Sequence, residues 1–236
     1  LTMVNQSDGV TLDQALMAVE VLAIVHSVWW DQADSEELAW IPNMIGPRIQ
    51  FVDGLLLQIL EPFCNAFAEH LPPGGKEMFE AFAGNYVTIN KTLANRSPWT
   101  LAHQDFRVEN MLFGKDRVVV LDWQGIGRGP GSYDLAYFLG GSMKIDLRRA
   151  HEREIVAHYY DKLMERGIKG YSPEQLWSDY LLSHLQGGLA TSMVTGGSMD
   201  LSNDRGRELI ATMSNRHVTA ALDHDGPAIL EQCVVS

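Results

Sequence analysis

A chain of 236 residues, 46% of them hydrophobic, can bury a substantial core as one large domain or two small ones. Its formal charge of −12 lacks the basic stripe that a phosphate backbone requires. No nucleic-acid partner is therefore expected, and a cationic small molecule fits the balance better. Cys64 and Cys233 are the sole cysteines, without metal-ligand spacing, so neither a disulfide framework nor a zinc site is suggested. No run of about 18 apolar residues and no basic-then-apolar leader occurs, so no membrane span or secretory signal is expected. A cytoplasmic address is the default expectation.

Thr11 to Gln14 reads as a capping box, and Leu12, Leu16, Val19, Leu22, Ala23, His26, Trp29 and Trp30 follow at helical spacing. The spacing predicts an amphipathic helix, with His26 and the tryptophans as core residues. Pro42, Gly46 and Pro47 punctuate the next segment. A second helix is predicted over roughly 48–71, broken or restarted at Pro62. A third, about 76–95, places Met78, Phe79, Phe82, Tyr86, Ile89 and Leu93 on one side.

The pattern then changes. Trp99 to Ala102, Met111 to Phe113 and Val118 to Leu121 read as short strands, the last two joined into a β-hairpin by Gly114 to Arg117. The glycine-rich stretch Gly125 to Gly131 leads back to helices from Ser132, over 146–166, from Ser172 to about 186 and from Asn203 to about 223. Ser172 to Gln175 is a second capping box with proline at the first helical position. The fold class expected is mainly α with a small β-hairpin element.

The most polar, most punctuated segment is HQDFRVEN, His103 to Asn110, with VVVLDWQ soon after. If Phe113 pairs with Val118, Asn110 falls opposite Leu121, one residue from Asp122. Asn110 and Asp122 are then neighbours at the open end of the hairpin. Both are hard oxygen donors suited to Mg2+. Asp105, on the loop entering the hairpin, can orient a substrate hydroxyl and accept its proton as a bond to phosphorus forms. An ordinary aspartate, with pKa about 3.9, is a weak ground-state base, so this role is mainly positional. His103 is better placed as a brace for the loop than as a second base.

HQDFRVENMLF, VVVLDWQ and GPGSYDLAYFL together resemble the carboxy-terminal lobe of the aminoglycoside-phosphotransferase-like small-molecule kinases, near the ecdysteroid-kinase-like and choline-kinase-like branches. LAIVHSVWW extends the likeness over most of the chain. The resemblance implies a protein-kinase-like fold with Asp105 as catalytic base and His103 in the catalytic loop. It further implies Asn110 and Asp122 as ligands of Mg2+ with the phosphates of ATP, and a small-molecule alcohol as acceptor. It makes Asp134, opening a helix, the residue that ties the catalytic loop; Arg107 matches a position often basic in relatives, and a surface or loop-bracing arginine is the preferred reading.

The nucleotide lobe of such kinases has no counterpart here. Where a third glycine of GxGxxG would follow Gly125 and Gly127, the chain has Pro130, and no GxxxxGK[ST] occurs. Leu1 is not methionine, and LTMVNQSDGV resembles the segment after the interlobe hinge. The expectation is that residues 1–236 are the carboxy-terminal, catalytic and substrate-binding lobe of a longer kinase, with a hinge remnant over about 1–10 and the amino-terminal lobe missing. ATP turnover by this chain alone should then be feeble. The alternatives are a non-catalytic module that binds a ligand or partner and, less well fitted, a metal-dependent phosphohydrolase, for which the scattered histidines offer no HxH or HExxH. Asp179, Asp200 and Asp204 are acids that could attract a cationic acceptor, although ordinary exposed or capping roles suit each of them better.

Overall fold

The computed structural model describes residues 1–198 and 202–235. Its elements run β1 (Thr2–Met3), α1 (Leu12–Val28), α2 (Arg48–Phe67), α3 (Gly75–Ala83), α4 (Tyr86–Arg96), β2 (Trp99–Ala102), β3 (Met111–Phe113), β4 (Val118–Val120) and β5 (Gly127–Pro130). Helices α5 (Ser132–Ser142), α6 (Ile145–Glu165), α7 (Pro173–Ser183), α8 (Gly187–Ser198), α9 (Asp204–Asp223) and α10 (Gly226–Val235) follow. The chain is mostly helical, with two small antiparallel sheets.

The hairpin forms in the expected register, Phe113 opposite Val118 and Met111 opposite Val120. One step further, the Leu121 N–H donates to the Asn110 carbonyl at 2.8 Å. Strand β1 adds to the free edge of β3, Thr2 opposite Phe113. The glycine-rich stretch that read as a loop instead supplies β5, paired with β2 from Trp99–Pro130 to Ala102–Gly127. Glycines suit this strand because neighbours press on it: a Cβ on Gly127 would overlap the Gln104 side chain, and one on Gly129 would stand 3.0 Å from Met44. Arg128, between them, is buried and donates to the Ile41 and Ala33 carbonyls and to Asp34, tying the loop before α2 to the sheet.

Two apolar clusters flank the site. One gathers Leu22 of α1, Phe106 and Phe113 beside the hairpin, Phe138 of α5, Tyr159 of α6 and Tyr180 of α7. The other gathers Phe63 and Phe67 of α2, Phe79 and Phe82 of α3, Ile89 of α4, Met193 of α8 and Val218 of α9. Every residue of α5 is buried, as expected of a helix packed on all sides.

Three details depart from the sequence reading. Helix α2 runs through Pro62: the proline and Gln58, whose carbonyl loses its partner, are both exposed, so water can satisfy that oxygen. By length and composition alone the run Arg48–His70 would pass for a membrane span; its Leu56, Phe63 and Phe67 lie fully inside the protein, while Phe51 and Leu57 are exposed. The predicted third helix is two, α3 and α4, parted at Gly84 and Asn85, where the Asn85 amide donates to the Ala81 carbonyl in place of backbone. Ser172 caps α7 through the Gln175 N–H, but the Gln175 side chain turns to Asp179, so the second capping box is only half made. At Thr11 both halves form.

Helix α8 has no apolar periodicity that would announce it. Its glycines allow close approach instead: a Cβ on Gly187 would overlap Tyr133, one on Gly188 His217, and those on Gly196 and Gly197 would come within 2.9 Å of Phe63 and Ile59.

Candidate active site

The site is built around α5. Asp134, in its first turn, is wholly buried. Its Oδ2 accepts the His103 N–H at 2.6 Å and lies 3.2 Å from His26 Nε2, and its Oδ1 accepts the Gln104 N–H at 2.8 Å. The loop from β2 is thereby anchored to the central helix. Gln104 has φ of 64°, a conformation that non-glycine residues rarely hold without support, and the Asp134 carboxylate supplies that support. Asp134→Asn should destabilise the protein by about 2 kcal/mol, because the amide NH2 must face an N–H and leave one buried donor unpaired. Urea unfolding checks this, and a loss within about 0.5 kcal/mol, the range of ordinary surface changes, would count against the anchoring role.

His103 is buried beneath the loop. Its Nε2 donates to the Leu121 carbonyl at 2.8 Å, and its Nδ1 accepts the Asp105 N–H at 3.2 Å. The ring thus bridges the loop after β2 and the hairpin with both nitrogens engaged. That is a brace.

Asp105 is ringed by donors. Tyr137 Oη–H donates to Oδ1 at 3.0 Å and Asn110 Nδ2 to Oδ2 at 2.8 Å, while Arg107 Nε lies 3.3 Å from Oδ1. Its side chain keeps about a third of its exposure, so one side remains open. Burial and the Asp105 charge push the Tyr137 phenol well above its usual range, which keeps it a proton donor to the carboxylate. Arg107 also pairs with Glu109 at 2.6 Å and stiffens the loop. Burial works to lower its pKa, and Asp105 and Glu109 more than offset this.

Because Asn110 must present its NH2 to a carboxylate, its carbonyl oxygen turns away from Asp105. Asp122 follows the residue paired with Asn110. It is exposed, with φ of 58°, and its Oδ2 accepts from Gln124 Nε2 at 3.5 Å. The structure therefore joins Asp105 and Asn110 directly, and sets Asp122 one residue beyond the backbone partner of Asn110 at the hairpin's open end, with neither Asn110 nor Asp122 in the cavity lining. An amide oxygen and an uncommitted carboxylate are a donor set that fits Mg2+.

Asp105 opens into a cavity of about 310 Å³, lined also by Arg48 and Ile49 of α2, Tyr86 of α4, Tyr137 of α5 and Thr191 of α8. Tyr137 had a signal in the sequence, since it stands one turn after Asp134 on the same helix face. Thr191 had none. The acids considered for a cation do not line this cavity. Asp179 is fully buried and occupied by Arg96, Tyr171 and Gln175. Asp204 is exposed near Arg207 in the first turn of α9. Asp200 lies outside the described residues.

Comparison with known proteins follows this geometry. The ecdysteroid kinase-like family model matches residues 2–169, a span holding Asp105, Asn110, Asp122 and Asp134. The chain belongs to the ecdysteroid kinase-like family. No curated protein matches it. Among solved structures, choline kinase from Cryptosporidium parvum Iowa II superposes with TM-score 0.55 at 10% identity, over 93% of this chain and 66% of that one. A spectinomycin phosphotransferase solved with ADP and spectinomycin does so with TM-score 0.55 at 14% identity, over 95% and 69%. This ecdysteroid kinase-like chain thus shares their kinase-like fold while spanning about two thirds of their length.

Proposed function

We propose that this chain is the catalytic and acceptor-binding lobe of an ATP- and Mg2+-dependent kinase that phosphorylates a hydroxyl group of a small molecule. The observation that carries this reading is the Asp105 carboxylate, held by Tyr137, Asn110 and Arg107 in the wall of a half-open cavity. Family membership supports it, as does the shared fold of two phosphotransferases.

An acceptor alcohol in the cavity donates its hydroxyl proton toward Asp105, which aims an oxygen lone pair at the γ-phosphorus of ATP. As the new O–P bond forms and the bond to ADP breaks, the proton passes to the Asp105 carboxylate and then to solvent. The ring of donors fixes the carboxylate in one rotamer, so positioning carries most of the effect. Asn110 and Asp122 would hold Mg2+, whose bound charge offsets that of the phosphates. Glycine-rich and lysine contacts to ATP would come from an amino-terminal lobe.

The deciding experiment incubates Mg-ATP with a panel of sugar, amino and polycyclic alcohols, using this chain alone and the chain continuous with a nucleotide-binding lobe. A phosphate ester is sought by mass spectrometry. Transfer should be robust only with that lobe. Tight binding of Mg-ATP and of an alcohol with no ester formed would instead identify a non-catalytic binding module, and vigorous turnover by the chain alone would remove the need for a second lobe.

A further inference from the structure

A second polar cluster lies among α6, α7 and α9, and phosphotransfer makes no use of it. Glu152 stands in α6, while His184 and His224 occupy the carboxy-terminal caps of α7 and α9. One ligand-type atom from each lies within 4.8 Å of the others. The two imidazoles stack with centroids 5.5 Å apart. His184 is 97% buried by its 3% exposure, and neither ring nitrogen has a hydrogen-bond partner. A buried imidazole with both nitrogens unpaired calls for a missing partner.

We propose that Glu152, His184 and His224 bind a divalent transition-metal ion of the zinc class, with a water molecule in the fourth position. Two imidazoles and a carboxylate are a zinc donor set, and three protein ligands leave one place open. Bonds of about 2.0–2.1 Å put tetrahedral ligands about 3.4 Å apart, so small rotations of the side chains close the site. Arg148 Nη1 and Tyr180 Oη already donate to Glu152 Oε2, at 2.8 and 3.2 Å, and aim the carboxylate as outer partners do in metal sites.

Arg148 bonds both Glu152 and Asp223, and Arg149 pairs with Asp223 as well, so two guanidiniums are matched by two carboxylates and the attraction for an arriving cation comes from the coordinate bonds themselves. His224 Nε2 now shares a proton with Glu152 at 3.0 Å. Coordination through Nε2 leaves the ring proton on Nδ1, so a neutral ring shifts its proton from Nε2 to Nδ1 and a cationic ring gives one proton to solvent, and two coordinate bonds replace the hydrogen bond. His224 is partly exposed, which gives the ion a way in. The bound ion would clamp three helices that no strand connects.

The test uses tag-free full chain dialysed against metal-free buffer and titrated with Zn2+, then with Co2+. One ion per chain is expected, and the Co2+ form should show the intense visible absorption of a four-coordinate site. His184→Ala should weaken Zn2+ binding at least about 10-fold and remove the Co2+ bands; Glu152→Gln serves if that variant does not fold. Substoichiometric Zn2+, a weak six-coordinate Co2+ spectrum of the unmodified chain, or unchanged affinity in a folded variant would overturn the site.

Discussion

Asp105→Asn is expected to lower kcat about 10³-fold in a form that carries a nucleotide-binding lobe, with Mg-ATP affinity nearly unchanged. The carboxamide fills the same space but cannot take up the acceptor's proton. It also offers a single oxygen to a ring of donors built for two, since Tyr137 and Asn110 address different carboxylate oxygens. Arg107, set beside the same group, would then face an uncharged side chain. Steady-state ADP release measures the first effect and nucleotide titration calorimetry the second. A kcat within about tenfold of the parent, below the usual range for such a base, would mean that Asp105 is not the group that receives the proton. Tyr137→Phe removes one donor and leaves the acid, so its loss should be much smaller.

Acid should destabilise the fold well before carboxylates titrate, through His217. Burial, then Arg216 and Arg148, hold this imidazole down to about 3, from an ordinary 6.5. It is packed against Tyr137 of α5 and against Gly188 of α8, with no room for a solvated cation. The unfolded chain therefore binds a proton between pH 6.5 and 3 that the folded one refuses. Stability is full above about 6.5 and falls with pH by about 1.4 kcal/mol per unit below it, or about 2 kcal/mol at pH 5. For a chain of this size that lowers Tm by about 4–8 °C. Melting curves from pH 7.5 to 5 with a chelator present check this. His217→Asn should remove this share of the slope and leave that of His184, whose imidazole burial also holds well below its usual range; an unaltered slope in that variant would assign the effect elsewhere.

Much of the site could be read directly from residue order because its parts are close in sequence. A four-residue turn between two apolar runs leaves the hairpin one reasonable register, and that register brings Asn110 alongside the residue before Asp122. The anchoring of the loop by Asp134 rests on backbone N–H groups at His103 and Gln104, and the resemblance had pointed to it. The cavity was illegible, since Arg48, Tyr86 and Thr191 come from three separate helices. Strand β5 was hidden because glycine and proline disfavour strands in isolation, and only the pressure of Gln104 and Met44 explains them. Histidines 184 and 224, spaced without a motif, meet only because two helices end at the same place.

Helix α8 has a consequence for how the cavity behaves. Four of its twelve residues are glycine, each costing roughly 1 kcal/mol of intrinsic helix propensity relative to alanine. It persists through what leans on it. Yet this helix contributes Thr191, Val194 and Thr195 to the lining, whereas Asp105 hangs from α5 and the sheet. The α8 side of the lining therefore depends on how its glycines fit against Tyr133, His217, Phe63 and Ile59, and a bulkier residue at any of them would reshape the pocket without touching the hydrogen bonds that hold Asp105.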